Sequence, residues 1–192
     1  EKGYVPLVGQ AITKQHAGLG VEIVGAGISG NKVPDCQKRL QRDVLDKKPT
    51  VVVIYIGIND VWHWNRNVGT PKEDFEKGLI DLIQRSKDAA ARVVLCTPSV
   101  IGEKIDGSNE FDKMLDEYSN ISRKVAEQEK VCLLDLRQKF LTQLKQQNAA
   151  NQEKGILTTG GTILGTSNRA DPFHYPVLQG DERVDHVLGL VG

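Results

Sequence analysis

Two short turns carry residues that could do chemistry. Gly27-Ile28-Ser29-Gly30-Asn31 follows one apolar run and Gly57-Ile58-Asn59-Asp60 follows another. Glycine tolerates backbone conformations that other residues avoid, and it leaves its N–H open to close approach. An asparagine side chain adds an NH₂ donor group. A backbone N–H from one turn and an asparagine amide from the next can aim at a single oxygen, which is the composition of an oxyanion hole for acyl transfer. Gly, Asn and Asp are also the residues that turns prefer for local reasons, so either stretch alone reads equally well as a turn. Their occurrence together, at the ends of neighbouring apolar runs, favours chemistry. Directly after the second turn stand Trp62, His63 and Trp64, which include the only two tryptophans of the chain.

Such turns need a scaffold that brings strand ends together. Gly3 to His16 has the spacing of an amphipathic helix, and Val21 to Val24 is a short apolar strand. Pro34 to Lys47 reads as helix. Thr50 to Ile56 is apolar on both faces, as a parallel strand covered on both sides would be. Thr70-Pro71-Lys72-Glu73 offers an N-cap, a proline at the first helical position and a Glu at N3. Phe75, Leu79, Leu82 and Ile83 then fall on one face. Arg92 to Thr97 is a strand stopped by Pro98, Asp112 to Gln128 a helix, and Val131 to Leu136 a further strand. Phe140, Leu141 and Leu144 mark another helix, and Asp181 to Leu188 is helix-like. Strands alternating with helices predict an α/β domain with a parallel sheet, whose ligand site lies beyond the C-terminal strand ends. Neither an internal repeat nor an interdomain linker is visible, so residues 1–192 read as a single domain.

Composition narrows the function classes. Lys and Arg number 25, as do Asp and Glu, and this balance argues against nucleic acid as the main partner. No apolar run approaches the roughly 20 residues of a membrane span. Glu1-Lys2-Gly3-Tyr4 does not look like a signal peptide, although one could have been removed, so the compartment stays open. The three cysteines Cys36, Cys96 and Cys132 are widely spaced, with no Cys-x-x-Cys pair for zinc. Cys96 and Cys132 sit in apolar runs and read as buried, inert thiols.

The two turns resemble the second and third blocks of the SGNH, or GDSL, hydrolases. The likeness runs from about Gly3 to Thr159 and is strongest to the platelet-activating-factor-acetylhydrolase-like and carbohydrate-acetylesterase-like members. It implies a three-layer, flavodoxin-like parallel sheet flanked by helices. It also implies a serine esterase without metal or cofactor, with Gly30 and Asn59 as oxyanion donors beside the N–H of the nucleophilic serine. Trp62 and Trp64 would line the mouth, since indole faces suit sugar rings as well as acyl chains; their bland alternative is to cap the core beside a long loop. His63 reads as a rim residue. The substrate implied is a small-molecule ester or an acetylated carbohydrate. The oligomeric state is not implied.

The resemblance is incomplete at two places. The family carries its nucleophile in a Gly-Asp-Ser block after the first strand, and no Gly-Asp-Ser occurs here. That strand should precede Gly3, so we expect it to be missing from residues 1–192 and the natural protein to extend ahead of Glu1. Ser167, in Gly165-Thr166-Ser167, is a lesser candidate for the nucleophile, and the run Val187 to Gly192 is a candidate to supply the absent strand by a rearranged connection. The family's last block is Asp-x-x-His, led in here by Gly155 to Thr159. In direct register Gly160 and Ile163 occupy the places of the Asp and the His. Eleven residues further on, Asp171-Pro172-Phe173-His174 restores the spacing, with His174 as base and Asp171 orienting it. His16 and His186 have no comparable partner and are expected to face solvent. The rival reading is a catalytically inactive SGNH-like module that binds a glycan or acyl ligand in a tryptophan-lined cleft.

Overall fold

The sheet is built outward from its most apolar strand. We describe the protein from a computed structural model, which covers residues 4–18, 20–148 and, as backbone, 186–191. Strand β2 (Val51–Tyr55) lies between partners on both sides and is almost wholly buried. Its sequence alternates between two covered faces. Val52 and Ile54 join Val93 and Leu95 of β3 (Arg92–Cys96) in the larger core. Val53 and Tyr55 join Cys96 on the opposite face. Among the described residues the remaining strands are β1 (Glu22–Gly25), β4 (Cys132–Leu134) and β5 (His186–Val191). All pairs are parallel and the order is β1-β5-β2-β3-β4.

Helices cover both faces. On the larger core lie α2 (Val33–Asp43), α4 (Lys72–Asp88) and α5 (Asp112–Gln128), whose apolar stripes include Leu40, Phe75, Leu79, Leu82, Leu115 and Val125. On the other face α6 (Leu136–Gln147) packs Leu136 and Phe140 against Val53 and Tyr55. There too lies α1 (Tyr4–Gln15), with Gly9 over Ile23 and Val5 over Gly25. A one-turn helix α3 (Ile58–Trp62) follows β2 and runs into a short 3-10 turn over His63–Arg66. This is the three-layer arrangement expected from the alternation of strands and helices.

Three expectations are corrected. The central position between β1 and β2 is not left empty, as the candidate run from Val187 allowed: β5 fills it, in register with Glu22–Gly25 on one side and Val51–Tyr55 on the other. The physical reason is backbone satisfaction, because a gap there would leave two facing rows of buried N–H and C=O groups unpaired. His186 to Leu188, the end of the stretch read as helix-like from Asp181, are therefore strand, as part of His186–Val191, and residues 181–185 lie outside the described residues. Thr70 does not cap α4. Pro71 takes the N-cap position with no side-chain bond, while the Thr70 N–H donates to Asp60 O at 3.1 Å and Tyr118 Oη donates to Thr70 O. Tertiary bonds have claimed that backbone unit, so the local Thr-Pro-x-Glu signal is overridden.

The cysteines divide. Burial pushes the Cys36 thiol up to about 11 and the Cys96 thiol up to about 12, so both are held protonated and inert. Cys132 is only partly buried. Among the described residues no helix is long and apolar enough to cross a membrane.

Candidate active site

The candidate site grows from the C-terminal ends of β1 and β2. After β1 the chain makes a turn in which the Asn31 N–H donates to Ile28 O at 3.2 Å. Gly30 occupies the third position of that turn with φ of +83°. This is a type II geometry, which demands positive φ at that position and so favours glycine. After β2 the chain turns on Gly57, at φ +119°. A Cβ there would lie 3.1 Å from Pro98 Cβ and 3.2 Å from Phe75 Cζ, so both conformation and space require glycine. The turn sets Asn59 in the first turn of α3.

The structure brings the two loops together. Asn59 is buried, 7% exposed, and its Nδ2 donates to Asn31 O at 3.1 Å. The amide thus sits against the residue that follows Gly30. An amide nitrogen carries two hydrogens, and this bond uses one of them.

Asp60, next in sequence, joins the same two loops from below. It is fully buried, and its Oδ1 accepts the Val33 N–H at 3.0 Å, at the start of α2. Close approach of α2 and α4 fixes Val33: a Cβ on Gly78 would meet Val33 Cγ1 at 2.2 Å. Neither Asp60 Oδ2 nor Thr70 Oγ1 has a hydrogen bond of good geometry. Burial raises the Asp60 carboxyl to about 6, against the pull of the Thr70 hydroxyl, the backbone N–H groups of Val33 and Asp60, and Lys32.

The two tryptophans stand on the rim. Trp62 is 49% exposed and Trp64 37% exposed, so neither caps the core. Trp64 is nonetheless held. Its indole lies over Gly69, where a Cβ would fall 2.4 Å from Cδ1, and its Nε1 donates to Tyr118 Oη at 3.2 Å. Tyr118 in turn packs on Phe75, with ring centroids 4.8 Å apart. Lys32 Nζ donates to Val68 O at 2.6 Å and ties the end of this loop to the start of α2. His63 is half-buried beside the tryptophans, and His16 is exposed.

Asp171, His174, Ser167, Gly160 and Ile163 lie outside the described residues, as does the side chain of His186. The structure therefore joins Asn59 to the loop that carries Gly30 and leaves the two tryptophans exposed shortly after Asn59 in the chain, without placing the acid–base pair. Sequence reasoning saw Asp60 as a residue that holds its own turn and not as a tie to the start of α2, and it passed over Arg39. Arg39 is buried, and its Nε and Nη1 reach the loop after β1. A charged residue on a mostly polar helix gives no periodic signal, so only the fold reveals it.

Comparison with known proteins agrees with this architecture. A family model described as the GDSL-like lipase/acylhydrolase family matches residues 1–158. The acetylxylan esterase of Geobacillus stearothermophilus is 32% identical over 151 residues, covering 74% of this chain and 67% of that enzyme. The crystal structure of the acetyl xylan esterase AlAXEase superposes with a TM-score of 0.79 at 42% identity, over 85% of this chain and 83% of the other. LAE5, an alpha/beta hydrolase from the metagenome of Lake Arreo, Spain, gives a TM-score of 0.69 at 30% identity, over 74% and 67%. Fold, turn sequences and relatives converge: the chain belongs to the GDSL-like lipase/acylhydrolase family, whose members are carboxylic ester hydrolases.

Proposed function

We propose that this esterase removes acetyl groups from a carbohydrate, with Gly30 and Asn59 as its oxyanion donors. The observation that carries the reading is the contact of the Asn59 amide with Asn31 beside the positive-φ turn at Gly30. Two loops that follow different strands are joined there by one hydrogen bond, which supports a common target for their donors. The substrate class is supported by relatives that are acetylxylan esterases. Solved variants of the Geobacillus enzyme include catalytic mutants of a serine, an aspartate and a histidine, the last two three positions apart. Asp171 and His174 have that spacing.

In this reading a serine Oγ attacks the acetyl carbonyl while His174 takes its proton. Asp171 accepts the other imidazole N–H and holds the ring in the useful orientation. The negative charge that develops on the carbonyl oxygen is met by the Gly30 N–H and by the second hydrogen of Asn59 Nδ2. Collapse of the tetrahedral intermediate releases the sugar hydroxyl, which takes its proton from His174. Water then attacks the acetyl-enzyme by the same route and frees acetate. Trp62 and Trp64 offer flat apolar faces on which a pyranose ring can lie. The nucleophile belongs to a Gly-Asp-Ser block that residues 1–192 do not contain. The matches to esterases do not favour a module that binds without cleaving.

The test is acetate release from acetylated xylo-oligosaccharides and from a chromogenic acetate. Residues 1–192 are to be compared with a chain extended ahead of Glu1 by a Gly-Asp-Ser strand, which has to displace β5 from the position between β1 and β2. We expect activity from the extended chain only, falling roughly 10²–10³-fold in kcat on Asn59→Ala, as loss of one oxyanion donor does. Full activity after Asn59→Ala removes the oxyanion reading. Equal turnover by the short chain removes the account of the nucleophile.

A further inference from the structure

The loop that carries Gly30 is strapped from beneath by a single side chain. Arg39 stands on α2, six residues past its first residue Val33, and is 7% exposed. Its Nη1 donates to Ala26 O at 2.5 Å, where the loop leaves β1. Its Nε donates to Asn31 Oδ1 at 2.6 Å, where the loop enters α2. The remaining contacts hold the guanidinium in place: Nη1 with Asp43 Oδ2 at 3.4 Å and Nη2 with Cys36 Sγ at 3.8 Å. Asn31 is therefore gripped twice, by Arg39 through its side chain and by Asn59 through its carbonyl.

We propose that Arg39 is a positioning residue for acyl transfer, fixing through Ala26 and Asn31 both the Gly30 turn and the Asn59 amide. It acts only through those residues, being itself buried at 7% exposure. This deepens the reading of Gly30 and Asn59 as oxyanion donors and rests on it. The chemistry favours arginine over any other cation. A planar guanidinium presents several donors in a fixed fork and can bridge two acceptors at once, whereas an ammonium on a flexible stem cannot hold that geometry. Oxyanion stabilisation depends on donors that are already in place when charge develops, so a loop free to shift loses rate before it loses binding.

The experiment uses the enzyme that carries the nucleophile, with Arg39→Lys, Asn31→Ala and Asn59→Ala made separately and Arg39→Lys also made in the Asn59→Ala background. Asn31→Ala removes the far end of the strap without disturbing the core, so it stands in if the buried arginine variant folds poorly. Both strap variants should lower kcat on the chromogenic acetate about tenfold or more, the scale of a small misplacement of catalytic groups, with KM changed less than about twofold. Amide hydrogen exchange over 26–31 should quicken while that of α5 stays unchanged. In the double variant the two losses should combine to less than their product, because both act on one donor. Unchanged kcat and unchanged loop exchange in both strap variants, with Asn59→Ala still crippling, would overturn the strap alone. An inert Asn59→Ala would overturn the oxyanion reading instead, and the exchange arm would still decide whether Arg39 holds the loop. Equal loss of kcat with rising KM and general exchange would mean that Arg39 merely supports the fold.

Discussion

Asp60→Asn isolates the cost of burying a charge under the site. In the folded protein the carboxyl is raised to about 6, with burial as the main cause, against about 3.8 for an open aspartate. Between those two values the folded state holds a proton that the unfolded chain has released. Stability from this group is therefore fully present below about pH 4 and is lost as pH rises through about 6. A gap of about two pKa units corresponds to roughly 3 kcal/mol of stability lost by pH 7.5. Asparagine keeps the Oδ1 acceptor that Val33 N–H uses at 3.0 Å, and its NH₂ can donate to Thr70 Oγ1, which lacks a well-formed bond. The variant should match the wild type near pH 4 and exceed it by about 1–3 kcal/mol at pH 7.5. Urea unfolding at half-unit pH steps measures this directly. Parallel stability curves for the two proteins from pH 4 to 8 would refute the reasoning, because Asp60 could not then be paying a desolvation penalty.

Two further substitutions test the frame around the site. Gly57→Ala forces a non-glycine residue to φ +119° and drives a Cβ to 3.1 Å from Pro98. Strain of roughly 1–3 kcal/mol and overpacking of similar size should lower stability by about 2–5 kcal/mol in urea, and a loss below about 1 kcal/mol would contradict it. Arg137→Met removes the partner of Asp112, a pair joined at 2.9 Å with side chains 2% and 6% exposed. It should cost about 3–5 kcal/mol, since one buried charge is left without its counter-ion. Asp116→Ala, which removes the half-exposed partner of the same arginine, should cost about 1 kcal/mol or less by the same assay.

Much of the scaffold was legible because it is written in periods. Val51–Tyr55 is apolar throughout and became the buried central strand β2, and the stripe of Phe75, Leu79, Leu82 and Ile83 became the buried face of α4. The place of the two turns was legible because a turn after an apolar strand must lie at the strand's end. Three features were not, each for a definite reason. His186–Val191 is too short for its period to choose between strand and helix, and its partners lie more than a hundred residues away in sequence. Helix α3 spans only five residues, less than two turns, so no stripe can form. Arg39 looks like an ordinary surface charge and Asp60 like a residue of its own turn until the fold buries them at 7% and 0% exposure.

Those last two residues show how a site made of loops can keep its geometry. A turn such as Ile28–Asn31 has a single backbone bond of its own, at 3.2 Å, and Gly30 within it is the least restrained residue type. The rigidity has to come from outside the loop. Here it comes from three directions, each a side chain reaching a backbone or side-chain acceptor or donor: Arg39 on Ala26 and Asn31, Asn59 on Asn31, and Asp60 on Val33 at the loop's far end. Two of these cross from the β2 end to the β1 end, so neither loop can move without the other. The burial of one charged carboxylate and one guanidinium is costly for the fold, and it falls where the two loops proposed to carry the oxyanion donors meet. A protein that only needed the sheet to be stable would do better with apolar residues at positions 39 and 60. Charge retained in those buried places is accounted for by the geometry it imposes on the edge of the sheet above it.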